Sequence, residues 1–236
     1  MKRFGSRTVL NGLNLSIKEG EIVFILGTSG TGKSVLLKNL VGLMTPDEGE
    51  IWIDGEEVSR FTEEQYLPIR KKCGMVFQHP ALFDSLTIYE NIAFGLRRHF
   101  HLKEEDIRAR VQEALALVHL RGIEEKRPAQ ISYGMQKRVS LARTVALQPK
   151  ILLFDEPTTG LDPVTTTAVN QLIQELSREL KTTSVVVSHD MNCALTIADK
   201  IVVLDKGQIV DQGTPEELKR SSQPLVKDFL AEVIVQ

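Results

Sequence analysis

A chain of 236 residues with 42% hydrophobic, 25% charged and 6% aromatic residues can bury a substantial core without disulfide or metal staples, and this composition excludes the disordered, collagen-like and coiled-coil classes. With 29 Lys plus Arg against 31 Asp plus Glu, the net charge is −2, so the chain lacks the basic excess that nucleic acid or an anionic membrane surface attracts. No run reaches the ~18 apolar residues of a membrane span.

MKRFGSRTVL at the start has no apolar h-region, so no signal peptide is read there. Residues 21–26 (EIVFIL) form a short β-branched apolar run that stops at glycine, the pattern of a buried strand. A Gly-rich turn follows, and then VLLKNLVGL reads as a helix broken by Pro46, Asp47 and Gly49. EIWIDGEEV resumes strand-like alternation. From about residue 80 to 147 the period is helical, with Ile107, Val111, Ala114, Leu115 and Val118 on one face. Residues 151–156 (ILLFDE) and 184–189 (SVVVSH) are further buried-strand candidates. Between them Val169, Leu172, Ile173, Leu176 and Leu180 repeat at helical spacing. Residues 201–210 read as a hairpin turning at Lys206-Gly207. Thr214-Pro215-Glu216-Glu217 is a helix start, and Leu225, Val226, Phe229 and Leu230 mark a final amphipathic helix.

Strand–helix–strand alternation implies an α/β core with parallel pairing. The expected division is a core of residues 1–79 and 148–213, an inserted helical subdomain of residues 80–147, and a helical tail of residues 214–236. Cys73 and Cys193 make neither a disulfide framework nor a zinc spacing. The chain is expected to be cytoplasmic, with any membrane association supplied by a partner.

The strongest chemical signal is Gly27-Thr28-Ser29-Gly30-Thr31-Gly32-Lys33-Ser34. It fits the phosphate-binding pattern G-x-x-x-x-G-K-[ST] and lies between a buried strand and a helix. Glycines let successive N–H groups face one anion, and the helix adds its positive end. Lys33 is placed to reach β- and γ-phosphates, and the Ser34 hydroxyl to join a magnesium shell. Asp155 and Glu156 end a buried strand, at the sheet edge where α/β folds bind ligands. Asp155 is the expected Mg²⁺ holder, and Glu156 is expected to orient or activate the attacking water. His189 ends another strand at the same edge, beside the expected γ-phosphate. Gln78, after Met75-Val76-Phe77, is a candidate for the metal or the water. His79, His99, His101 and His119 follow no metal spacing.

The order of these parts, with Ile131-Ser132-Tyr133-Gly134-Met135-Gln136 and Gly160-Leu161-Asp162, resembles the ATP-binding-cassette (ABC) ATPases over nearly the whole chain. The resemblance implies a P-loop NTPase fold with an inserted helical subdomain, ATP and Mg²⁺ as ligands, and a head-to-tail homodimer. Each ATP would lie between the P-loop of one subunit and the signature segment of the other. Ser132 and Gly134 would then cap the γ-phosphate in trans, at a helix N-terminus. Asp162 would lie in the loop crossing the dimer interface. Phe4 looks like the aromatic that stacks on adenine. Two departures stand out. Tyr133 replaces the family's first signature glycine, restricting close backbone approach, and only three residues precede Phe4 where cassettes carry a full strand.

A finer resemblance, to the cassettes of Mla/Mce-type lipid transporters, rests on Gly74-Met75-Val76-Phe77-Gln78, Ala81-Leu82-Phe83-Asp84-Ser85-Leu86-Thr87, Tyr89-Glu90-Asn91-Ile92-Ala93-Phe94, Asp162-Pro163-Val164-Thr165 and the Gly213–Leu218 ending. It implies an integral membrane permease, an Mce-domain lipid-binding protein, no nucleic acid, and a place on the cytoplasmic face of the bacterial inner membrane. The segment from Gln78 to Phe94 would sense nucleotide and touch the permease. Cassettes for amino-acid uptake and lipoprotein release share much of this text. A non-transport ABC ATPase of DNA repair or translation usually carries two cassettes, coiled-coil insertions or basic extensions, none of which is seen here. A P-loop kinase leaves the signature segment and His189 unexplained.

Overall fold

The computed structural model describes residues 1–234. β1 (Lys2–Phe4) and β2 (Arg7–Leu10) form an antiparallel hairpin. β3 (Ile22–Leu26) is buried throughout, and α1 (Lys33–Leu40) follows the Gly-rich turn. The helix stops short of the apolar run's end at residue 43. Gly42 takes φ +68°, and the Leu43 N–H returns to the Lys38 carbonyl at 2.9 Å, a glycine-terminated helix end. The Tyr66 ring closes over that turn, so a Cβ at position 42 would stand 2.5 Å from it.

β4 (Trp52–Ile53) and β5 (Glu56–Glu57) reduce the expected strand alternation to a two-residue hairpin. α2 (Glu63–Lys72) was not anticipated from the sequence. Thr62 and Gln65 form a capping box at its start, which supplies two of the free N–H groups with acceptors. Pro68 sits inside it and disguises the helical pattern. β6 (Cys73–Val76) leads toward the helical stretch of α3 (Ile88–His99), α4 (Glu104–Leu117), a single 3₁₀ turn at Pro128–Gln130, and α5 (Tyr133–Val145). Thr87 and Glu90 cap α3 reciprocally.

β7 (Ile151–Asp155), α6 (Pro163–Glu179), β8 (Thr183–Ser188), α7 (Met191–Ile197) and β9 (Lys200–Asp205) continue the alternation. β10 (Gln208–Gly213) turns back on β9 as the hairpin expected at Lys206-Gly207. α8 (Pro215–Leu218), capped by Thr214, is one turn long, and α9 (Pro224–Ile234) ends the described chain.

The central sheet has the order β10-β9-β3-β8-β7-β6. All its pairings are parallel except β10 with β9. Alternate residues feed opposite faces. Ile22, Phe24, Leu26, Phe154 and Val186 join one apolar cluster, while Val23, Ile25, Leu153 and Val185 join another under α1. The first cluster runs on through Ile92, Leu115 and Val139 of α3, α4 and α5, so the helices of the middle segment share one core with the sheet. Neither cysteine is bonded; Cys193 is buried and Cys73 half-buried. Among the described residues no helix is long and apolar enough to cross a membrane. Because β3, β6, β7 and β8 run parallel, their carboxyl ends share one edge, and Gly27, Gln78, Asp155 and His189 all stand within two residues beyond or at those ends.

Candidate active site

The turn after β3 wraps tightly before α1. Gly32 caps the helix with φ +102°, a region side chains disfavour. A Cβ there would stand 2.8 Å from Leu10 Cδ2 and 2.9 Å from the Val9 carbonyl, so β2 can close over the turn only with glycine at this position. Lys33 folds inward. Its Nζ donates to the Gly27 carbonyl at 2.6 Å and the Thr28 carbonyl at 3.1 Å. Burial lowers its pKa, opposed by the Glu156 and Asp155 carboxylates.

The Ser34 hydroxyl donates to Asp155 Oδ1 at 2.8 Å, which joins the start of α1 to the end of β7. Glu156 then takes φ +50°. A non-glycine residue in this region is strained by ~1–3 kcal/mol and is found most often where function demands a fixed direction. Its N–H bonds the Val187 carbonyl at 2.9 Å. The turned carboxylate has Lys33 Nζ 3.7 Å from Oε1. Its Oε2 accepts from the Thr159 hydroxyl at 3.1 Å and lies 2.8 Å from His189 Nδ1. Lys33, Ser34, Asp155, Glu156 and His189, from three widely separated stretches of sequence, therefore meet in one place.

They open on a cleft of about 760 Å³, walled by the P-loop, Gln78, Glu156, Thr159 and His189. Sequence reasoning missed Thr159. It also missed Arg7, Phe229 and Glu232, which line the same cleft together with Val9. Arg7 carries no motif, and nothing local brings α9 to the P-loop. Phe4 is not among the lining residues. It is solvent-exposed, with Lys2 Nζ 5.7 Å from its ring centroid, and it pairs across the hairpin with Arg7. β1 is three residues long and pairs with β2 in the first hairpin.

Ser132, Gly134 and Asp162 lie outside this cleft. Ser132 caps α5, accepting the Met135 N–H at 3.3 Å. Asp162 caps α6, accepting the Thr165 N–H at 3.0 Å and its hydroxyl at 2.6 Å. The two helix starts touch, since a Cβ on Gly134 would stand 2.9 Å from Thr165 Cγ2. Tyr133 is exposed and directs its hydroxyl toward His79 Nδ1, 3.4 Å away. One turn into α5, Lys137 is 4% exposed, and burial pushes its ammonium down to about 8 despite Glu156 nearby.

The residues at this edge fit a magnesium ion. Among the described residues no group of three His, Cys, Asp or Glu side chains could cage a metal. Mg²⁺ does not need one, since it takes one or two protein oxygens and completes its shell with water and phosphate. Ser34 and Asp155 supply that pair.

A family model described as "ABC transporter" matches residues 10–159. The chain belongs to the ABC transporter family. It is an ABC ATPase domain, and the ABC cassette fold extends beyond the matched stretch. The chain superimposes at TM-score 0.82 and 35% identity on a dimeric structure of a post-hydrolysis state of the ATP-binding cassette MJ0796 bound to ADP and Pi, covering 91% of this chain and 94% of that one. It is 41% identical over 226 residues to the intermembrane phospholipid transport system ATP-binding protein MlaF of Haemophilus influenzae, covering 96% of this chain and 86% of MlaF. It is 44% identical over 229 residues to the probable ribonucleotide transport ATP-binding protein mkl of Mycobacterium tuberculosis, covering 97% of this chain. It spans 64% of the length of that mycobacterial relative.

Proposed function

We propose that this ABC domain binds and hydrolyses ATP and drives phospholipid transport between bacterial membranes through a separate permease. One observation carries the hydrolytic reading: the strained Glu156 carboxylate, held by His189 and Thr159 and 3.7 Å from Lys33, beside the Ser34–Asp155 pair. In this reading the P-loop amides and Lys33 hold the β- and γ-phosphates. Ser34 and Asp155 hold Mg²⁺, with Gln78 at the cleft wall as a further oxygen donor, and the ion supplies neutralisation of phosphate charge. Glu156 takes a proton from water as the water oxygen attacks the γ-phosphorus. The bond from that phosphorus to the β–γ bridging oxygen breaks, and ADP leaves with the bridging oxygen. His189 fixes the carboxylate's direction through Nδ1. Gly27, Thr28, Ser29, Gly30, Thr31 and Gly32 form the cradle. Ser132 and Gly134 face the partner's nucleotide in a head-to-tail homodimer, with Asp162 in the crossing loop.

The test is Glu156→Gln. The variant should bind ATP as wild type does and hydrolyse it ~10²–10⁴-fold more slowly, the usual worth of a general base. Near-normal turnover would remove Glu156 from that role.

The lipid reading rests on the likeness to MlaF. Docking on a permease at the cytoplasmic face is supported by exposed Phe83 and Phe94, with ring centroids 5.2 Å apart, within the segment expected to touch it. A second reading, the ATPase subunit of a different ABC transporter, is favoured by the equally strong likeness to a relative named for ribonucleotide transport. Tagging the chain in its host and purifying it from solubilised membranes separates the two. A permease with an Mce-domain protein and phospholipid supports the first, and another permease supports the second.

A further inference from the structure

One buried cation outside the recognised motifs spans both halves of the chemistry. Lys137 lies on the inward face of α5, one turn after the Ser132 cap. Its Nζ donates to the Gln78 carbonyl and, at 3.0 Å, to the Pro157 carbonyl. The first is the main chain of the residue that lines the cleft after β6. The second directly follows the strained Glu156. An ammonium offers three donors and no acceptor, so a single buried atom ties together two acceptors that lie just beyond the last β6–β7 pairing, Val76 with Phe154. Lysine stems normally lie along apolar surface and put the charge in water; here both stem and charge are buried. Six residues on, Arg143 of the same helix grips the Ala81 carbonyl at 2.8 Å and the Pro80 carbonyl at 3.2 Å. It holds the same loop without reaching the Glu156 turn.

We infer that Lys137 is a positioning residue for hydrolysis. It locks the Gln78 loop and the Glu156–Pro157 turn to α5, the helix whose N-terminus carries Ser132 and Gly134. This inference rests on the hydrolytic reading above. A displacement at the α5 N-terminus reaches Glu156 through this lysine, because among the described residues no other side chain of α5 bonds both segments. Lys137 is not among the residues that line the cleft. Its loss should therefore misplace Glu156 and Gln78 while leaving the P-loop cradle intact.

The experiment compares the full-length wild type with Lys137→Met, which keeps length and apolar stem but donates nothing, and with Lys137→Arg, which keeps charge and donors. Steady-state ATP hydrolysis with Mg²⁺ gives kcat and KM, and equilibrium binding of a non-hydrolysable ATP analogue reports the cradle. The expected result is a fall in kcat of tenfold or more for Lys137→Met, with KM and analogue affinity within about twofold of wild type. Lys137→Arg should recover most of the loss. If Lys137→Met disturbs folding by circular dichroism, Lys137→Gln, whose amide can still serve one carbonyl, takes its place and should show an intermediate kcat. An unchanged kcat in Lys137→Met overturns the inference and leaves the hydrolytic reading standing, provided Glu156→Gln is inactive in the same assay. A parallel loss of kcat, analogue affinity and thermal stability, without rescue by arginine, overturns it in favour of plain structural support. A wild-type chain that hydrolyses no ATP overturns both.

Discussion

At the scale of single residues, the decisive feature is that charge is concentrated where phosphate oxygens would come. The Lys33 ammonium is buried and bonded to two carbonyls of its own loop, so a phosphate can exchange neutral acceptors for a charged one without any reordering of the helix. Charge-assisted hydrogen bonds contribute ~1.5–3 kcal/mol each. Lys33→Ala should therefore weaken ATP binding by at least 10-fold to 100-fold, measured by equilibrium titration. An unchanged Kd would show that the lysine does not touch the nucleotide. The P-loop, Asp155 and Glu156 were legible in the sequence because each motif is local: its spacing alone sets strand, turn and helix. Thr159, Arg7 and Lys137 were not legible. Thr159 matters only because Glu156 turns back toward it, and Lys137 is recognisable only once α5 packs on two loops from elsewhere in the chain.

At the scale of elements, caps and ion pairs fix the ends that frame the site. α3 begins with Thr87 accepting from the Glu90 N–H at 3.1 Å, while Glu90 accepts from the Thr87 N–H at 2.8 Å. Thr87→Ala should cost about 1 kcal/mol, or ~2–4 °C in Tm for a chain of this size, read by calorimetry. No shift would mean that water replaces the cap. Asp199 ties β3, β9 and α6 together. It accepts from the Ile22 N–H at 2.8 Å and from the Arg178 guanidinium. Burial pushes its pKa up, but the Arg178 pairing and the Ile22 N–H outweigh it and hold the carboxyl below its ordinary value. A depressed carboxylate stabilises the fold above its unfolded pKa, and that stabilisation is lost as pH falls through the folded value. Asp199→Asn should thus be less stable at neutral pH by about 1 kcal/mol, a modest figure because the pair is partly exposed. It should also lose less of its stability below about pH 4. Parallel acid-denaturation curves for the two proteins would contradict this. The sequence supported most helices and strands through their periodicity. It failed at α2, where Pro68 masks the period although Thr62 and Gln65 spell a capping box, and at the end of α1, where a tertiary contact from Tyr66 fixes the Gly42 turn.

At the scale of the whole molecule, parallel strand pairing does the assembling. P-loop, Gln78, Asp155, Glu156 and His189 gather because β3, β6, β7 and β8 all end at one edge of the sheet, where open α/β folds bind ligands. This convergence could be inferred from the alternation of strands and helices. The approach of α9 to the cleft could not, because it depends on how a terminal helix docks over distant sequence. Ser132, Gly134 and Asp162 stand away from the chain's own cleft, clustered where α5 and α6 begin. A hydrolytic site that uses them must borrow them from a second copy. Ser132→Arg should accordingly leave ATP affinity within about twofold of wild type and abolish turnover; retained turnover would place Ser132 outside the reaction. The most direct measurement is the mass of Glu156→Gln in solution by light scattering, with and without Mg²⁺-ATP. The account predicts that ATP converts a 26.4 kDa chain to a particle of twice that mass, and that Ser132→Arg introduced into Glu156→Gln prevents the conversion. A particle that binds ATP and keeps the single-chain mass would contradict the two-chain site.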